Sequence, residues 1–182
     1  MYIRNSLLRR HVLESNRIER IHFRAGYLVQ SHMAAALMVA RHPRWEAPLD
    51  PRLIHRALCR NTPMEAFGGE YRVCPIWVGD TRMPRWEEVP RLMAWWQERM
   101  AELDSMQLHE RGKAALLLHH WLLCIHPFED GNGRTARLVL NSLRLKYGLL
   151  WMTILSARKD RYYASIRRAE DGFKKMFSDA YA

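Results

Sequence analysis

From Ala114 to Phe128 runs the most apolar long stretch of the chain, and from Ala114 to Ile125 it is apolar on almost every side of a helix. A helix without a polar face has to be covered by other elements, so the rest of the chain is expected to wrap around it as a bundle. The stretch has 15 residues and includes His119, His120 and His126. That is too short and too polar for a bilayer span, which takes about 20 apolar residues. Pro127 disfavours helical geometry at His126, so the helix should stop there. The 182 residues fit one domain over 1–182 and one sizeable core.

Other segments also read as helices. Met1 to Ile21 carries Ile3, Leu7, Leu8, Ile18 and Ile21 toward a core, and Leu28 to Arg41 is Ala-rich and stops near Pro43. Asp50-Pro51 is a cap and first-turn pair opening a helix through Arg60. Glu87 to Leu103, Met106 to Ile125, Thr135 to Tyr147 (closed by Gly148) and Lys159 to Glu170 complete the set. Between Glu70 and Trp86 the pattern changes. Tyr71 to Val73 and Ile76 to Val78 are β-prone, Gly79-Asp80 marks a turn, and Pro75 and Pro84 exclude a central strand. The expected fold is therefore all-α, a helical bundle around a central buried helix with a small exposed β-hairpin over 70–86.

Charge points to an anionic partner. Lys and Arg number 29 against 19 Asp and Glu, a net charge of +10. Of the 29 basic residues 24 are Arg, whose planar fork suits phosphates and carboxylates. Cys59, Cys74 and Cys124 are few, odd in number and widely spaced, which argues against a disulfide scaffold or a cysteine-rich zinc site. The segment Met1 to Arg20 holds five Arg and no apolar core of a signal peptide, so a cytoplasmic location is expected, with delivery to another cell left open.

Chemistry concentrates in His126 to Arg137, His-Pro-Phe-Glu-Asp-Gly-Asn-Gly-Arg-Thr-Ala-Arg. Gly131-Asn132-Gly133 permits positive φ angles and convergence of backbone N–H groups on an anion. A helix follows at once, adding its unpaired amides and positive dipole end. Arg134 and Arg137 oppose that dipole by about 0.3–1 kcal/mol each, so a bound polyphosphate is the better reason for them. Asp130 offers a carboxylate for Mg²⁺, and His126 a base for an attacking hydroxyl. Alone, each feature has a plainer reading: packing for His126, a turn for the Asp-Gly-Asn-Gly run, solvated charges for the arginines. Together in 12 residues between two helices they point to metal-assisted transfer of a phosphorus group. No P-loop and no His-Glu-x-x-His is present, and the adjacent His119 and His120 make a poor chelate.

HPFEDGNGRTAR resembles the signature of the Fic domain, HPFx[DE]GNGRxxR, at every fixed position, and the resemblance extends to about residue 170. It implies an all-helical enzyme with a hairpin flap that moves AMP from Mg-ATP to a Ser, Thr or Tyr hydroxyl of a protein target, with self-modification left open. By that resemblance His126 is the base, Asp130 holds Mg²⁺, and Gly131, Asn132 and Gly133 line the phosphate cradle. Arg134 binds phosphate, Arg137 meets the γ-phosphate, and Phe128 anchors the loop in the core. Val73, Cys74, Ile76, Trp77 and Val78 of the flap hold the target by strand addition. Ser15 to Arg20 resembles the inhibitory motif [ST]xxxE[GN], which implies an inhibitory helix over 1–22. Ser15 and Glu19 share one helix face, and Glu19 is placed to pair with Arg137 where the γ-phosphate belongs. Arg20 departs from the motif, which has Gly or Asn there. Three alternatives remain open at this point: transfer of another nucleotide or phosphorus group, a nucleotide-binding protein held shut by Glu19, and a basic nucleic-acid-binding module. The last is disfavoured by dispersed basic residues and the lack of any nucleic-acid-binding signature.

Overall fold

A computed structural model describes residues 3–21, 26–41 and 50–181. Seven α-helices order these residues: α1 (Asn5–Ile18), α2 (Gly26–Arg41), α3 (Pro51–Cys59), α4 (Val89–Ala101), α5 (Leu108–Ile125), α6 (Asn132–Lys146) and α7 (Lys159–Met176). Between α3 and α4 stands a two-stranded antiparallel hairpin, β1 (Trp77–Val78) and β2 (Thr81–Arg82). The architecture is all-α with a hairpin, as the residue pattern implies. No described helix is long and apolar enough to cross a membrane.

The helix at the centre is α6, where the sequence points to α5. Twelve of the 15 residues of α6 are buried, and α1, α2, α3 and α5 all pack on it. On α5, Leu116 and Leu117 stay exposed while Leu118, Leu122 and Ile125 face the core. Apolar composition thus overstates the burial of α5. Burial of α6 is hidden in the sequence by its polar residues, because Arg134, Thr135, Arg137, Asn141 and Ser142 are buried too.

Boundaries differ in instructive ways. Helix α1 is shorter than the 1–21 pattern, and Met1, Tyr2, residue 22 and Pro43 lie outside the described residues. Its inner face is Leu8, His11, Val12, Ser15 and Ile18, with Leu7 exposed and Ile3 and Ile21 half-buried. Asp50 caps α3 as expected, its carboxylate accepting the Arg52 N–H at 2.9 Å. Helix α6 begins three residues before Thr135, and α7 runs six past Glu170. Tyr71 to Val73 forms no strand: the Arg72 N–H donates to the Pro127 carbonyl at 2.9 Å instead of to a sister strand. Pairing is Trp77 with Arg82 and Val78 with Thr81, extended by the Met83 N–H to the Ile76 carbonyl.

Candidate active site

Helix α5 ends at Ile125, and His126 adopts a left-handed backbone (φ 52°, ψ 59°) that turns the chain into the loop 126–131. The His126 Nδ1 lies 3.3 Å from the Leu123 carbonyl. A carbonyl only accepts, so Nδ1 carries the proton and Nε2 keeps its lone pair. Burial, reinforced by the Arg72 charge, lowers the His126 pKa to about 4, against the opposing pull of the Leu123 bond, Glu19 and Asp130. At neutral pH the imidazole is therefore uncharged, the form a base requires.

Phe128 is fully buried and stacks on His55, centroids 3.8 Å apart and planes 8° from parallel. His55 accepts the Gly69 N–H at Nδ1 (2.9 Å), which leaves Nε2–H to donate to the Asp130 carbonyl at 3.0 Å. Burial lowers its pKa to about 4, so it too is neutral. Asn132 completes the loop: its Oδ1 accepts the Phe128 N–H at 2.9 Å and its Nδ2 donates to the Phe128 carbonyl at 2.7 Å. The Asn132 side chain is thus a clamp on the loop, and only its backbone can line a phosphate cradle.

Gly131 has φ 76° and is the one glycine of the run that needs a left-handed backbone. Gly133 already lies in α6, and its lack of a side chain serves another purpose: a β-carbon there would overlap the Glu19 carboxylate. The Thr135 N–H to the Gly131 carbonyl (2.9 Å) is the first helical bond, which leaves the amides of Asn132, Gly133 and Arg134 at the open N-terminus of α6.

The charged residues pair with one another. Arg134, almost fully buried, donates to Asp130 at 2.8 Å, and the Asp130 side chain is 63% exposed. Arg137 is buried and makes several bonds: Nε to the Ser15 hydroxyl (2.7 Å), Nη2 to Glu19 (2.6 Å) and to the Ser15 carbonyl (3.2 Å), and Nη1 to the Tyr162 hydroxyl (3.5 Å). So Ser15 and Glu19 of the N-terminal segment meet Arg137 across 122 and 118 positions of sequence. Tyr162 OH lies 3.0 Å from His119 Nε2, and His119 Nδ1 donates to the Ala136 carbonyl at 2.9 Å, so both termini of Tyr162's contacts lead back to α6.

The flap residues sit at one edge. Val73 and Trp77 are 70% and 61% exposed, Val78 is exposed, and Cys74 and Ile76 are half-buried. Among the described residues no group of three or more His, Cys, Asp or Glu side chains is arranged as a metal cage. A Mg²⁺ ion held by one carboxylate and substrate phosphates needs no such cage, and exposed Asp130 beside the amides of α6 suits that type of site. His55, Tyr162 and Arg72 are structurally tied to the site and were not legible as such, since each reaches it through a contact distant in sequence.

Residues 50–143 match the Fic/DOC family. The chain is 35% identical over 125 residues to the protein adenylyltransferase Fic of Drosophila grimshawi, and equally to that of Drosophila melanogaster. Each match covers 69% of this chain and 25% of the relative, so the chain spans about a quarter of the length of these curated relatives. A Fic domain containing signaling protein from Bacteroides thetaiotaomicron superposes with a TM-score of 0.73 at 24% identity, over 90% of this chain and 72% of that one. Fic-1 from C. elegans superposes with a TM-score of 0.71 at 22% identity, over 89% of this chain and 55% of that one. These two likenesses concern the fold.

Proposed function

The chain belongs to the Fic/DOC family, and on that premise we propose that it is a protein adenylyltransferase, moving AMP from Mg-ATP to a Ser, Thr or Tyr hydroxyl of a protein target. The observation that carries this reading is the geometry of His126, its Nδ1 on the Leu123 carbonyl and its Nε2 lone pair uncommitted, on the loop that leads into the open N-terminus of α6. In the proposed reaction His126 Nε2 takes the proton of the target hydroxyl as that oxygen bonds to the α-phosphorus. The bond from the α-phosphorus to the bridging oxygen breaks, and pyrophosphate leaves. The amides of Asn132, Gly133 and Arg134, with the dipole of α6 behind them, bind the anionic phosphates. Arg134 binds phosphate, and Arg137 receives the γ-phosphate. Asp130 would hold Mg²⁺, which when bound neutralises phosphate charge. The edge Val73, Cys74, Ile76, Trp77 and Val78 receives an extended segment of the target.

Regulation is proposed from the pairing at Arg137. Glu19 occupies the donors that a γ-phosphate needs, so ATP binds out of line until the carboxylate leaves. A charge-assisted pair in a partly desolvated site is worth roughly 1.5–3 kcal/mol, enough for about ten- to hundred-fold suppression.

The test is incubation of wild type, Glu19→Gly and His126→Ala with each α-labelled nucleoside triphosphate and a cell lysate. ATP is expected to label protein, most strongly with Glu19→Gly and not at all with His126→Ala; label on the enzyme's own band reports self-modification. No label from any donor, with Mg²⁺ present, would sink the enzymatic reading, and preferential labelling from another triphosphate would change the donor.

A further inference from the structure

Arg72 stands at the root of the flap, buried, and its guanidinium bonds three backbone carbonyls, one at each end of the hairpin segment and one at His126. Nε donates to His126 at 2.8 Å, Nη1 to Cys74 at 3.0 Å and Nη2 to Pro84 at 2.6 Å. Its own N–H holds the Pro127 carbonyl at 2.9 Å. Burial lowers its pKa, and its acceptors are peptide dipoles rather than a carboxylate. A buried cation in such surroundings is an expensive way to fill space, since an apolar side chain would pack at lower desolvation cost. What the guanidinium offers is three donors in fixed, divergent directions.

Those directions matter because of what they join. Cys74 and Pro84 are the two ends of the segment that carries the hairpin, so Nη1 and Nη2 pinch the flap closed at its base. His126 is a non-glycine residue with φ 52°, a conformation that costs energy and needs outside support. Its carbonyl is turned onto Arg72 Nε, which supports that conformation and hence the direction in which the imidazole leaves the backbone. We propose that Arg72 is a positioning residue that locks the flap to the backbone of His126, so that the edge receiving the target and the base receiving its proton keep one fixed register.

This rests on the adenylyltransferase reading of His126 and the flap. The register matters because a misplacement of about 1 Å can cost on the order of a hundredfold in rate.

The experiment places Arg72→Gln and Arg72→Lys in the Glu19→Gly background and measures transfer, ATP affinity and amide hydrogen exchange. Target-labelling turnover should fall by about 10–100-fold in both, with the Kd for ATP within about twofold of the parent because the α6 amides are untouched. Exchange should rise in residues 73–85 and 126–128 and stay low in α6 and α4. Lysine is expected to fail as a substitute, since one ammonium cannot reach three diverging carbonyls. Parent-like turnover in the lysine variant, or unchanged exchange across the flap, would overturn the proposal. Exchange raised throughout the molecule in both variants would also overturn it, making Arg72 an ordinary core residue. Absence of transfer in the Glu19→Gly parent itself would sink the enzymatic reading instead, and the exchange pattern would still decide whether Arg72 couples the two segments.

Discussion

Arg20 has φ 58° and occupies the position after Glu19 where the helix reverses. Its N–H bonds the Arg17 carbonyl (3.1 Å) and the Ile21 N–H bonds the Asn16 carbonyl (2.9 Å), the double bond pattern of a Schellman end. The Gly or Asn of the motif that Ser15 to Arg20 resembles therefore has a backbone reason: the site is left-handed, and arginine tolerates it at a cost of roughly 1–2 kcal/mol. Arg20→Gly should raise unfolding stability by about 1 kcal/mol, seen as a higher urea midpoint. It should also lower basal transfer by seating Glu19 more firmly; unchanged stability would show that the strain is relieved elsewhere. At His126 the expectation is different. His126→Ala should cost about 10²–10⁴-fold in transfer while the unfolding midpoint and ATP affinity hold, and a variant keeping a tenth of parental rate would remove the residue from the role of base.

At the level of elements, the start of α6 braces the loop with the same residues that, on the proposed reading, bind phosphate. Asn132 clamps both the N–H and the carbonyl of Phe128, and Phe128 in turn rests on His55. Asn132→Ala strips the partners from two buried backbone groups, at about 1–3 kcal/mol each. It should lower the unfolding midpoint and weaken ATP affinity together, and loss of one without the other would separate loop support from phosphate binding. Much of this site was readable in sequence because His126 to Arg137 is continuous, with a proline stop, glycines and a helix start at fixed offsets. The Asp50-Pro51 opening of α3 was readable for the same local reason. What lay hidden is non-local. Tyr71 to Val73 has strand composition, yet Arg72 spends its backbone and side chain on the loop 126–127. His55 resembles any other helical histidine until the Asp130 carbonyl is found beside it. Helix α6 conceals its burial because its buried Arg134 and Arg137 are neutralised by Asp130 and Glu19, partners that hydropathy does not see.

Across the whole molecule, buried histidines make stability sensitive to acid. Burial lowers His11 and His119 to about 3 and His55 to about 4. Unfolded, each titrates near 6.5, so below that pH the unfolded chain binds protons that the folded one refuses. Their contribution is complete above pH 6.5 and is lost as pH falls from there toward 3 to 4, at up to about 1.4 kcal/mol per pH unit for each. The urea midpoint should therefore drop steeply between pH 7 and 5, and a flat profile would show that these rings are charged or solvated in the folded state. The pairing at Arg137 carries a different whole-molecule consequence. Arg137 side-chain exposure is 1% and that of Glu19 is 32%, and Arg137 has Ser15 and Tyr162 as further partners beside Glu19. One partner is a buried socket and the other a part-exposed tongue at the C-terminal cap of α1. If ATP and that tongue compete for the socket, thermodynamic reciprocity binds them: the factor by which a seated Glu19 weakens ATP is the factor by which saturating ATP loosens the helix end. The end of α1 then acts as a gauge of nucleotide supply, readable as faster tryptic cleavage after Arg17 and Arg20 when ATP is added.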